Sequence, residues 1–200
     1  MRRPVVSMLP AVFAPVLSAV TALTALTALT ALTAVTACGH PDAPAPARPP
    51  LASCRASSAG PPLRGGLPGV TLDCLGRGPA VHLAGLRGPE IINLWASWCA
   101  PCQREMPALQ RAYRQQGGRL RFLGVDTRDL RAAALSFLGA YHVGYPQLSD
   151  PRGTLAAALA APGLPVTVAV DAAGTIVWHK AGQLKPGDLP AATRAAVGGR

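Results

Sequence analysis

A three-layer α/β sandwich, with a central mixed sheet, helices on both faces and an N-terminal β-hairpin extension, is the fold class this sequence predicts. Three observations carry it. An apolar run, Ile91-Ile92-Asn93-Leu94-Trp95-Ala96, leads through Trp98-Cys99-Ala100-Pro101-Cys102 into a helical pattern, so a strand turns directly into a helix. A second strand and a second helix follow, the order that generates parallel crossovers. The chain then closes with an antiparallel hairpin, Val166 to Asp171 and Thr175 to Trp178 around Ala172-Ala173-Gly174, and a last helix.

Taken in order, residues from Leu67 to Leu86 alternate weakly between apolar and polar with interspersed glycines, which suits short edge strands or a hairpin ahead of the main fold. Ile91 to Ala96 is apolar almost throughout, as a strand covered on both faces must be. The helix after Cys102 runs through Leu109 and Tyr113 and stops at Gly117-Gly118, with Pro107 expected to kink it. Leu120 to Val125 is the next strand, ending at Asp126. Asp129 to about Tyr141 has leucines and alanines at helical spacing, with Asp129 in the first turn, where a carboxylate is favoured. A short helical pattern spans Thr154 to Ala160, a strand starts at Pro165, and Asp188 to Val197 forms the closing helix.

The chemistry is concentrated in the Cys-x-x-Cys turn. A sulfur at the start of a helix faces unpaired backbone N–H groups and the positive end of the helix dipole, both of which favour thiolate over thiol. Cys99 is therefore the expected nucleophile and Cys102 the resolving thiol, with Pro101 placed where no N–H is needed. A structural zinc site would need two further closely spaced ligands. Cys38, Cys54 and Cys74 stand singly, and His40, His82, His142 and His179 are scattered without a paired motif. Metal, nucleotide and haem sites are not indicated, and no cofactor is expected.

The N-terminus carries an address. Met1-Arg2-Arg3 precedes a stretch without charge that extends to Ala37, the pattern of an export or anchoring signal. Within it Thr21 to Leu32 is a Thr-Ala-Leu repeat, and the 22 residues from Val16 to Ala37 could span a bilayer at about 1.5 Å per residue. Val35-Thr36-Ala37-Cys38 resembles a bacterial lipobox, whose cysteine becomes a lipidated N-terminus after cleavage. The expected organisation is a signal segment over residues 1–37, lipidated Cys38 with a Pro/Ala/Ser-rich tether over 38–66, and one domain over 67–200. A retained transmembrane helix is the alternative. The protein is thus placed outside the cytoplasm, on the membrane of a bacterial cell envelope, and expected to be monomeric.

Cysteine counting agrees with that placement. Five cysteines leave one unpaired, and lipidation of Cys38 would remove it. Cys54 and Cys74 are then expected to form a structural disulfide, closing a loop of about 20 residues worth roughly 3 kcal/mol. A relay passing electrons to Cys99 is the other reading of that pair. Lys and Arg number 19 against 9 Asp and Glu; losing Arg2 and Arg3 with the signal leaves 17 against 9. The basic residues are spread singly with few aromatics between them, which excludes nucleic-acid binding and leaves attraction to anionic headgroups or acidic partners.

Trp-Cys-x-Pro-Cys after an apolar strand, Glu105 and Pro107 in the helix, Tyr145-Pro146, and Gly163-Leu164-Pro165 before the hairpin together resemble the TlpA/ResA-like, membrane-anchored disulfide oxidoreductases, over about Leu67 to Val197. The resemblance implies a thioredoxin-like fold. It implies a cis bond before Pro165, which places Leu164 and Pro165 beside the cysteines to pair with substrate, while Trp98 and Pro101 shape the rim. It implies that Glu105 exchanges protons with the thiols, where a solvated carboxylate paired with Arg104 or Arg111 is the alternative. Asn93 departs from the pattern of thioredoxin itself, which carries a buried aspartate there. Partners follow: protein thiol or disulfide substrates such as apocytochrome c, and a membrane electron donor or acceptor protein. A disulfide-donating oxidase, a non-catalytic client-binding lipoprotein and, more distantly, a hydroperoxide reductase are the competing functions.

Overall fold

The structure is a computed structural model and describes residues 51–55, 61–116 and 118–198. The expected signal segment, Cys38 and most of the expected tether lie outside the described residues. Among the described residues no helix is long and apolar enough to cross a membrane.

Seven strands form one mixed sheet: β1 Thr71–Cys74, β2 Val81–His82, β3 Glu90–Trp95, β4 Arg121–Thr127, β5 Gln147–Asp150, β6 Val166–Val170 and β7 Ile176–Ala181. Their order is β2-β1-β5-β4-β3-β6-β7. The helices are α1 Ala100–Gln116, α2 Arg131–Ala140, α3 Thr154–Ala158 and α4 Asp188–Gly198. Strands β3, β4 and β5 are parallel, whereas β1, β6 and β7 run antiparallel to their neighbours. This is the expected thioredoxin-like sandwich. The edge pair β1–β2 is antiparallel, as expected of the N-terminal hairpin.

Both crossovers, β3-α1-β4 and β4-α2-β5, step the same way across the sheet, so a common hand puts α1 and α2 on one face. Ile91 and Trp95 of β3 pack there with Met106, Leu109, Phe137 and Ala192, so α4 shares that layer. Ile92 and Leu94 point the other way, toward Leu155 of α3 and the N-terminal segment through Leu67, Val81 and Leu83. Every residue of β3 is buried, in keeping with its apolar run.

Three sequence expectations need amendment. No element is expected at β5 from the sequence, which marks its neighbourhood only by Tyr145-Pro146. Gln147-Leu148-Ser149-Asp150 has no β-pattern of its own and becomes a strand by pairing with β4 on one side and β1 on the other. Asp129 lies before α2, not in its first turn, because its carboxylate is engaged elsewhere. Residues 51–55, which composition placed in the tether, pack on the domain: Leu51 lies against the core, and Ala52 N–H donates to the Gly144 carbonyl at 3.0 Å. Helix α1 runs as a single element through Pro107.

Candidate active site

The carboxyl ends of β3 and β4 and the start of α1 converge at the cysteine pair. Cys99 immediately precedes the first residue of α1, and the Cys102 N–H donates to Cys99 Sγ at 3.3 Å. The sulfur therefore occupies the place that a serine or aspartate oxygen takes at a helix N-terminus. Pro101, second in the helix, has no N–H at a position where the helix supplies no acceptor. The two sulfurs are bonded at 2.04 Å with a Cα–Cα distance of 5.2 Å. Cys99 is 4% exposed and Cys102 fully buried, so attack from outside can reach only the first sulfur.

Beneath the pair lies a polar cluster in an otherwise apolar layer. Glu105 sits one turn beyond Cys102 on the same helical face. Its Oε1 accepts from Asn93 Nδ2 at 2.8 Å and its Oε2 from the Leu184 N–H at 2.7 Å. Asn93 Nδ2 also donates to Thr167 Oγ1 at 2.9 Å, which ties β3, α1 and β6 together through one side-chain amide. Burial holds the Glu105 pKa above the ordinary carboxylate range, opposed by those two hydrogen bonds. No ion pair forms with Arg104 or Arg111; the Arg104 Nε donates to Gln183 Oε1 instead. The solvated, arginine-paired Glu105 is thus not what the fold contains.

The Leu164–Pro165 bond is cis, and Pro165 is buried at the head of β6. Its carbonyl accepts from the Gly182 N–H at 2.8 Å, whereas the Leu164 N–H and carbonyl make no hydrogen bond among the described residues. Leu164 touches both apolar layers. Trp98 is 62% exposed, held at the rim by its Nε1 donating to the Arg128 carbonyl at 3.1 Å. Trp95 is core: it stacks on Phe137 at 4.9 Å between ring centroids and donates to Gln147 Oε1 at 2.9 Å. Gln147 fits there because Gly124 has no Cβ, which would stand 1.8 Å from that oxygen.

Several neighbours have no motif to announce them. Asp129 Oδ2 accepts from the Ser97 N–H at 2.5 Å and Oδ1 from the Leu130 N–H at 2.7 Å, bracing the turn that carries Trp98 and Cys99. Asp126, register partner of Trp95, is 1% exposed; burial first, then the carboxylates of Asp129 and Asp150, push its pKa up to about 7. Thr167 and the Leu184 backbone are equally unmarked, being defined only by what they touch.

Away from this centre, Cys54 and Cys74 form a second disulfide with a Cα–Cα distance of 5.9 Å. It ties the 51–55 segment to β1. Gly78 closes over it with φ +122°, where a Cβ would meet the Cys54 carbonyl at 2.4 Å. Neither sulfur lies at a helix start. No group of three or more His, Cys, Asp or Glu side chains among the described residues is arranged to hold a metal ion.

The redoxin family model matches residues 63–196, the whole sandwich with both the cysteine turn and Pro165. The chain belongs to the redoxin family. Among its relatives, this redoxin is 38% identical over 98 residues to a thiol:disulfide interchange protein DsbE homolog of Paracoccus denitrificans, covering 48% of this chain and 52% of that protein. It is 37% identical over 120 residues to the thiol:disulfide interchange protein HelX of Rhodobacter capsulatus, covering 58% of this chain and 66% of the relative. The chain thus spans between half and two thirds of the length of these relatives. A solved structure of a secreted Mycobacterium tuberculosis disulfide oxidoreductase homologous to E. coli DsbE superposes with a TM-score of 0.56 at 25% identity, over 64% of this redoxin and 96% of that chain.

Proposed function

We propose that this redoxin is an extracytoplasmic protein disulfide reductase of the TlpA/ResA-like type, working through Cys99 and Cys102 and anchored by a lipid on Cys38. The observation that carries the reading is the placement of the Cys99 sulfur at the N-terminus of α1, with the Cys102 N–H aimed at it. Substrates are oxidised cysteine pairs of protein thiols, apocytochrome c among them, as the resemblance implies; the names of the interchange-protein relatives support the reaction class.

The reaction starts from the reduced pair. The Cys99 thiolate attacks one sulfur of the substrate disulfide; that bond breaks, an intermolecular Cys99–substrate disulfide forms, and the departing substrate thiolate takes a proton. Cys102, deprotonated, then attacks Cys99 Sγ, expelling the second substrate thiolate and leaving the Cys99–Cys102 disulfide. Two electrons have moved to substrate; the first departing thiolate takes its proton from water, replacing the one Cys99 lost on ionising, and the second takes the one Cys102 gave up, so each substrate sulfur has gained one proton. Glu105, buried one helical turn from Cys102 and with its pKa raised, is the group we assign to receive the Cys102 proton. Leu164 and Pro165 offer the substrate strand its backbone partner, with Trp98 and Pro101 at the rim. A membrane electron donor protein returns the pair to dithiol. Cys54–Cys74 serves as a staple outside this cycle.

A disulfide-bonded peptide containing Cys-x-x-Cys-His tests the proposal. Cys102→Ser should accumulate a mixed disulfide through Cys99, whereas Cys99→Ser should form none. Trapping through Cys54 or Cys74, or no trapping at all, would refute it.

A further inference from the structure

A groove of about 660 Å³ runs between α1 and α4, beginning at Glu105, where the β7–α4 loop bounds it through the Leu184 N–H that donates to Glu105 Oε2. Its floor is apolar, built from Ala108 and Ala112 of α1 and Leu189 of α4. Its rim is basic. Arg104 and Arg111 stand seven residues apart on one face of α1, Arg194 faces them from α4, and Lys185 closes the end nearest Leu184. Arg111 and Arg194 are exposed and take part in no ion pair among the described residues, while Asp188, paired with Lys180, also lies close enough to Lys185 to compensate part of its charge. Glu105 is the single acid in the lining, and burial disfavours its charged form.

Resting on the oxidoreductase reading above, we infer that this groove is a docking site for an acidic, partly apolar polypeptide segment of the partner protein, adjoining the cysteine that exchanges with Cys99. Three features select that occupant. The uncompensated cations call for carboxylates. The apolar floor between them calls for alternate aliphatic side chains, which a free anion lacks. The groove reaches Glu105, one turn along α1 from Cys102, so its occupant runs along the helix that carries the disulfide, and a polypeptide, unlike a lipid headgroup, can continue from there to present a cysteine to Cys99. The lining from Arg104 to Gln115 covers about 16 Å of helix at about 1.5 Å per residue, the span of roughly five residues of extended chain.

The test uses the full chain and two peptides carrying Glu-Leu-Glu-Glu-Leu or Gln-Leu-Gln-Gln-Leu beside a reactive cysteine joined in disulfide to a small neutral thiol. The acidic peptide should oxidise the reduced protein about tenfold faster at low salt. That advantage should shrink as sodium chloride is added, and it should vanish in Arg111→Glu/Arg194→Glu. Hydroxyethyl disulfide should react equally with the wild type and this variant; failure of the wild type to react with it would refute the oxidoreductase reading alone. Binding of fluorescent Ser-for-Cys versions of the same peptides, followed by anisotropy, reads the groove independently of any redox step. Equal affinities for acidic and neutral peptides, or a preference that survives in the variant, would overturn the inference. So would a variant that loses only its adhesion to phosphatidylglycerol vesicles, which would make the groove a membrane-facing surface.

Discussion

Removing the Cys54–Cys74 bridge separates the two disulfides by role. The bridge spans 20 residues of sequence, and in the chain-entropy model a loop of that size is worth about 3.3 kcal/mol at 25 °C, against about 1.6 kcal/mol for the 3-residue separation of Cys99 and Cys102. Without the bridge the 51–55 strap keeps the Ala52–Gly144 and Cys54–Arg77 backbone bonds and the Leu51 packing. These few contacts are too weak to restore the lost constraint. Cys54→Ala/Cys74→Ala should therefore lose about 3 kcal/mol in urea denaturation, roughly 10 °C in Tm for a domain of this size. Cys99→Ala/Cys102→Ala should lose about half as much. Exchange of Cys99 with a small disulfide should stay within about twofold in the first variant and disappear in the second. A bridge variant within about 0.5 kcal/mol of wild type, or one whose Cys99 exchange collapses, would refute the staple and favour an electron relay.

Three further outcomes follow from the carboxyl groups of Glu105, Glu90 and Asp129, the first two buried and the third half-buried. Glu105→Gln should remove an inflection, lying above the ordinary carboxylate range, from the pH profile of Cys99 alkylation; the Asn93 Oδ1, which has no hydrogen-bond partner, can accept from the new amide, so the fold should survive. An unchanged profile would exclude Glu105 from proton exchange. Burial pushes Glu90 from 4.5 to about 7 despite Arg121 at 3.6 Å, so its stabilising effect is fully present below about pH 4.5 and is lost as pH rises through 7. The wild type should thus lose on the order of 3 kcal/mol between pH 4 and 9 through this group, and Glu90→Gln should flatten the curve in pH-dependent denaturation. Asp129→Ala removes the acceptor of the Ser97 and Leu130 N–H groups; it should slow exchange with a small disulfide about tenfold, on the order of the 1.4 kcal/mol that one such bond contributes. Equal rates at 25 °C would show that the Cys99 turn does not depend on Asp129.

Features with local causes were legible in the sequence. The fully buried β3, the strand-to-helix cysteine turn and the β6–β7 hairpin each follow from a pattern of a few neighbouring residues. Features defined by contact were not. Strand β5 owes its conformation to β4 and β1, and its Gln147 to the missing Cβ of Gly124, which no period in either segment records. Asp129 was expected to favour a helix dipole locally; the nearer donor was Ser97 on another segment, 32 residues away in sequence. Glu105 was legible as a residue, but its environment required Asn93 of β3, itself bonded to Thr167 of β6, and the Leu184 N–H of the β7–α4 loop to meet at it. Asn93, an amide where the thioredoxin pattern has an acid, donates to Glu105 instead.

The reduction potential of the Cys99–Cys102 pair tests the central claim most directly, measured on the soluble domain in thiol buffers by tryptophan fluorescence. A reductase fed by a membrane donor predicts a value near the thioredoxin end of the scale, about −270 mV. A value near about −120 mV, where strong disulfide donors lie, would contradict the reducing direction.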